Sequence, residues 1–94
     1  MNIALLVMDL FLGDSLSLKD KRRIMGSLTQ RLRRSFNIAL CEVEHQERWQ
    51  RSKIAIVLIN TNWRMLEEST SKIITAVERD GRVQVLNTEM ERLR

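Results

Sequence analysis

The sequence predicts an α+β sandwich, a four-stranded antiparallel sheet with two helices on one face. Three observations carry that expectation. Two segments, 3–12 and 52–59, are apolar on both alternating faces, as central strands are. Two longer segments, 18–35 and 63–80, repeat apolar residues at the helical period. Two further segments, 37–44 and 82–90, mix apolar and charged residues, as strands at a sheet edge do.

Taken in order, Ile3 to Leu12 is an apolar run broken only by Asp9, and Gly13-Asp14-Ser15 ends it as a turn. Ser17 stands three residues before Asp20, a capping-box spacing with Asp in place of Glu. The first helix then runs from Leu18 to Ser35. At 100° per residue Ile24, Met25, Leu28 and Leu32 share one side, and Lys19, Arg22, Arg23, Arg33 and Arg34 share the other. Lys21 points toward the core side, where a structural ion pair with Asp9 is expected. Asn37 to Glu44 alternates Ala39, Cys41 and Val43 with Ile38, Leu40, Glu42 and Glu44. The polar segment His45–Arg51 leads to the third strand. Asn60-Thr61-Asn62 supplies a turn and an N-cap for the second helix, whose core stripe is Leu66, Thr70, Ile73 and Val77. Glu67 and Glu68 are expected in its first turn, where they would suit the helix dipole. Gly81 is expected to end it as a C′ residue. The last strand covers 82–90, and the tail 91–94 is expected to fray. Right-handed crossovers then give a ferredoxin-like βαββαβ sandwich with strand order 4-1-3-2.

Ninety-four residues make one domain, 1–94. The absence of Pro and the three Gly argue against linkers or disorder. One Cys cannot make an internal disulfide, no apolar run is long enough to span a bilayer, and no signal peptide is evident. A reduced, cytoplasmic setting is the expectation. The formal net charge is +4, and residues 1–53 hold ten Lys/Arg against six Asp/Glu, whereas 54–94 hold six of each. The excess cation therefore sits in the first half, and most of it on the first helix.

The residues Ser15-x-Ser17-Leu18-Lys19-x-Lys21-Arg22-Arg23, Arg34-x-Phe36-Asn37 and Glu42-Val43-x-His45-Gln46-x-x-Trp49-Gln50 resemble the YlxP-like family of small bacterial proteins, a domain of unknown function. The resemblance covers essentially the whole chain. It implies a ferredoxin-like fold and, by gene association, a ribosome- or RNA-linked role. It supplies no catalytic residue set.

Two constellations carry the functional expectations. The first is the cationic helix face: Lys19, Arg22, Arg23, Arg33 and Arg34, without i,i+4 anions, suit contact with RNA phosphates. A solvated surface is the competing account. Base stacking on the sheet is not expected, because the third strand has no aromatic residue and the first has only Phe11. The second is the turn His45, Gln46, Trp49, Gln50 and Arg51, dense in side chains of recognition type. Its competing account is structural, with Trp49 folded over an open core edge. Catalysis and metal binding are not expected. Cys41 and His45 lie ~13 Å apart along one strand, too far to share a metal or pair directly. No cofactor and no small-molecule substrate are called for. Because two helices cover one sheet face, the apolar residues of the other face call for a homodimer. The sequence thus reads as a non-catalytic binding module for RNA or the ribosome. The alternative is a dimeric structural protein that binds another protein through the 45–51 turn.

Overall fold

The computed structural model describes Met1–Arg94. The elements are β1 (Asn2–Phe11), α1 (Leu18–Ser35), β2 (Ala39–Glu44), β3 (Arg51–Asn60), α2 (Trp63–Glu78) and β4 (Gln84–Arg92). The sheet order is β2-β3-β1-β4 with every neighbouring pair antiparallel, the expected order read from the other edge. The fold is ferredoxin-like α+β.

Register decides which residues meet the helices. Ala4, Leu6, Met8 and Leu10 of β1 are fully buried, and Leu6 stands opposite Ile56 on β3. Ile54, Ile56 and Leu58 complete the same face. Against it lie Ile24, Met25, Leu28 and Leu32 of α1, and Leu66, Thr70, Ile73 and Val77 of α2, the two stripes the helical period marks out. Each large apolar side chain buried here contributes about 1.5–3 kcal/mol. The helices start where their caps set them. Ser17 Oγ accepts the Asp20 N–H at 3.0 Å, and the Asp20 carboxylate accepts the Leu16 N–H at 3.0 Å. Asn62 Oδ1 accepts the Arg64 and Met65 N–H groups at 2.9 and 3.4 Å.

Four local expectations are corrected. Asp9 does not meet Lys21. It faces the open side of the sheet and pairs with Arg51 at 2.9 Å, while Lys21, on the helix side, pairs with Glu42 at 3.1 Å. One residue of strand register separates the two faces, so β1 cannot present Asp9 to α1. Gly81 has no left-handed φ. The chain leaves α2 through Arg79 in the right-handed region, and the Asp80 carboxylate caps the next turn by accepting the Arg82 N–H at 3.0 Å. The first turn of α2 carries no acidic residue, and Glu68 instead pairs with Arg64 at 3.7 Å. The tail is not frayed. β4 continues to Arg92, whose guanidinium lies 4.5 Å over the Trp63 ring and bonds Asn2 Oδ1 at 2.7 Å. The Leu93 N–H then bonds the Ile3 carbonyl at 2.8 Å, and the Ile3 N–H bonds the Arg94 carbonyl at 2.9 Å. No helix is long and apolar enough to cross a membrane.

Candidate functional site

α1 presents its cations outward because its buried stripe takes the opposite side. Lys19, Arg22, Arg23, Arg33 and Arg34 are all exposed. The structure divides them. Arg23 is not free: it pairs with Asp20 at 3.1 Å, an i,i+3 partner the helix wheel did not credit. Arg34 lies along the seam with α2, near Phe36 and Ala76. Lys19, Arg22, Arg33 and Arg34 enter none of the ion pairs. Arg31, which sequence reading left out, joins Arg82 on the buried Asp80 carboxylate and ties α1 to the turn after α2.

Arg22 and Arg33 flank a groove of about 410 Å³ between α1 and β2. Its floor is Met25, Leu40 and Ile54. Gly26 and Thr29 form the helix wall, with Glu42 and Gln46 opposite. Arg33 is held over the groove by a 3.0 Å hydrogen bond to the Leu40 carbonyl. Below the rim, Lys21 is buried, forms an ion pair with Glu42 and donates to the His45 carbonyl. Glu42 Oε2 also accepts from Ser52 Oγ. Sequence reading named Arg22, Arg33 and Gln46 but not the groove. The available signal was Gly26, a helix-weakening residue in mid-helix.

The structure splits the His45–Arg51 turn between roles. His45 adopts φ 67°, a left-handed conformation His tolerates better than most residues. That turn delivers its carbonyl to Lys21 and to the Arg48 N–H. Gln50 Nε2 bonds the Gly13 and Ser15 carbonyls at 3.1 and 3.3 Å, pinning the turn to the β1–α1 loop. Arg51 pairs with Asp9 and holds that carboxyl below its usual value, chiefly through their hydrogen bond. Gln46 belongs to the groove. Trp49 does not fold over a core edge: it is 54% exposed and lines a shallow depression with Phe11 and Leu86.

The sheet face away from the helices carries Ile3, Leu5, Val7, Ala55, Val57 and Ile59 at one end. Val57 and Ile59 are 38% and 52% exposed. The ion pairs Asp9–Arg51 and Lys53–Glu44 bound this patch and separate it from Phe11, Leu86 and Trp49.

Fold and surface together define a small ferredoxin-like domain with one cationic, grooved helix face and a sheet face that is apolar at one end. Residues 3–90 match the family described as protein of unknown function (DUF503), and the chain belongs to that family. It is 25% identical over 65 residues to the uncharacterized protein YlxP of Bacillus subtilis (strain 168), covering 69% of this chain and 71% of that protein. Among solved structures it is similar to the de novo designed protein Foldit4, with a TM-score of 0.59 at 10% identity, covering 97% of each chain. That second likeness concerns the fold alone.

Proposed function

We propose that this protein is a non-catalytic module that docks on RNA, ribosomal RNA included, through the exposed face of α1. The observation that supports the reading is the set Lys19, Arg22, Arg33 and Arg34, four exposed cations without an acidic partner on one side of one helix. A cation that serves only fold stability is better placed beside an anion, as Arg23 and Arg31 are. Arg is suited to phosphate by its planar, multiply donating head group. The open sheet lacks the aromatic platform that reads bases, so contact is directed to the backbone. A non-catalytic role fits the separation of the sole His and Cys along the chain: His45 opens the turn after β2, and Cys41 stands four residues earlier on the open sheet face opposite Ala55.

Changing Lys19, Arg22, Arg33 and Arg34 to Glu tests this. The four positions are solvent-facing, so the fold should persist, with a modest fall in melting temperature from the lost Arg33–Leu40 hydrogen bond and from carboxylates in the last turn of α1. Wild-type affinity for a single-stranded RNA should fall with log salt at a slope of about −0.7 per phosphate contacted, about −2 to −3 for three or four contacts. The reversed variant should not bind. Equal binding by both, or no wild-type binding near physiological salt, would reduce the cationic face to solvated surface.

A second reading has its own observation, the exposed indole of Trp49 beside Phe11 and Leu86. Aromatic side chains of this kind anchor protein partners. Under it, Trp49→Ala and not charge reversal would remove the partner.

A further inference from the structure

We infer that the groove between α1 and β2 holds one unpaired nucleotide, with its phosphate on Arg22 or Arg33 and its base against the apolar floor. The inference rests on the RNA-binding reading above and names where on that face, and in what form, RNA is held.

Gly26 is the first observation. A glycine inside the 18-residue α1 costs about 1 kcal/mol relative to alanine. Neither backbone nor packing requires it. Its φ is not positive, and a Cβ built there would meet no atom within 4 Å. What glycine does at this position is keep the helix wall low between Arg22 and Arg33, which stand about three turns, roughly 16 Å, apart along the axis. Any larger side chain would project into the groove.

The lining is the second observation. The volume of about 410 Å³ lies within the range of small-molecule sites. Leu40, half-buried, and the accessible edge of Met25 give the floor an apolar surface for the face of a base, with Ile54 fully buried beneath them. Lys21 and Glu42 offset each other, so the net charge at the rim is that of the two arginines. Arg33 commits one N–H to the Leu40 carbonyl, which fixes the guanidinium and leaves its planar face for stacking on a base. Glu42 receives both Lys21 and Ser52 on Oε2, so Oε1 remains to accept from an amino group of the base. The Gln46 amide, also at the rim, makes no hydrogen bond within the protein and is available to a base edge. A paired base, stacked inside a duplex, cannot enter such a site.

Gly26→Leu fills the groove without changing charge and improves helix propensity. Gly26→Ala is the milder companion. Both should melt at or above the wild-type temperature, which shows that they fold. Three probes are used: a single-stranded RNA oligonucleotide, a duplex of the same length, and adenosine monophosphate. Wild type should bind the single strand at least ~10-fold more tightly than the duplex. Adenosine monophosphate at millimolar concentration should shift the amide resonances of Gly26 and Leu40. Gly26→Leu should abolish that shift and bring single-strand affinity down to the duplex value, with duplex binding unchanged. Monophosphate binding in the groove without oligonucleotide binding would support the site and assign it to a free nucleotide. Wild-type single-strand affinity in Gly26→Leu, or equal single-strand and duplex affinity in wild type, would overturn the groove proposal and leave the charge-driven reading standing. Absence of binding to all three probes would overturn both.

Discussion

Lys21 is the residue that joins α1 to the β2–β3 turn. It is 3% exposed, its ammonium is 3.1 Å from Glu42, and it donates to the carbonyl that the left-handed His45 turns toward it. Truncating one partner of a buried pair costs about 3–5 kcal/mol, because the other charge is stranded. Glu42 keeps some solvent, so Lys21→Ala should cost about 2–3 kcal/mol by urea denaturation. Lys21→Met combined with Glu42→Gln should cost less than Lys21→Ala alone, since no charge is left without a partner. Asp80 sets the acid limit in a similar way. The Arg82 hydrogen bond, helped by the Arg82 backbone N–H and by the charges of Arg82 and Arg31, lowers its pKa from 3.8 to about 2. A depressed carboxylate stabilises the fold above its unfolded pKa and ceases to as pH falls through the folded one. That contribution, about 2 kcal/mol, should be complete above about pH 5, fall as pH drops through the folded value near 2, and be gone by about pH 1. Asp80→Asn should be less stable at pH 7 and should lose less stability than wild type over that interval.

At the scale of elements, α1 depends on its N-terminal cap. Ser17 and Asp20 satisfy two backbone donors between them, and Asp20 also holds Arg23. Ser17→Ala should lower stability by about 1 kcal/mol. Ser17→Ala and Asp20→Ala together should cost less than the sum of the single changes, because the two side chains order the same turn. Thermal unfolding of the wild type and the three variants checks both statements; strict additivity would mean that the two bonds act independently. The edge strands are managed by irregularity. β2 has only six residues and a register shift between Glu42 and Glu44, and β4 has one opposite Asp9/Leu10. Such bulges interrupt the flat edge that another strand would otherwise extend.

For the whole molecule the open sheet face is the main consequence of having two helices for two sheet faces. The apolar end of that face spans about five residues, roughly 17 Å, across β1, β3 and the short β2, and presents roughly 250 Å² per copy. Glu89 and Glu91 of β4 stand beside it, and two copies packed on these patches would bury roughly 500 Å², below the range of stable interfaces. A face-to-face homodimer through Val57, Ile59 and Val7 is therefore predicted to be weak. Sedimentation at micromolar concentration should show a monomer–dimer equilibrium that Val57→Glu shifts to monomer. A concentration-independent monomer in the wild type would remove the dimer. A dimer unaffected by Val57→Glu would place the contact at an edge strand instead.

The elements and the main core were legible in the sequence because each rests on local periodicity. Ile24, Met25, Leu28 and Leu32, and Leu66, Thr70, Ile73 and Val77, lie on helical stripes that chain geometry alone turns inward. The strand order followed from which strands are apolar on both faces. Partner choice was not legible. Whether Lys21 meets Asp9 or Glu42 depends on which sheet face each strand residue occupies, and the fate of Arg23 depends on a rotamer beside Asp20. The end of α2 went to the Asp80 carboxylate and not to the glycine beside it, because Arg82 and Arg31 converge there from 2 and 49 positions away. The groove of α1 and β2 exists only once β3 has set β2 beside the helix. By itself the sequence determined what is periodic: two helices, four strands, one cationic helix face and an apolar sheet. The tertiary structure alone decided which charges are satisfied and where a cavity opens, because both depend on distances between residues far apart along the chain.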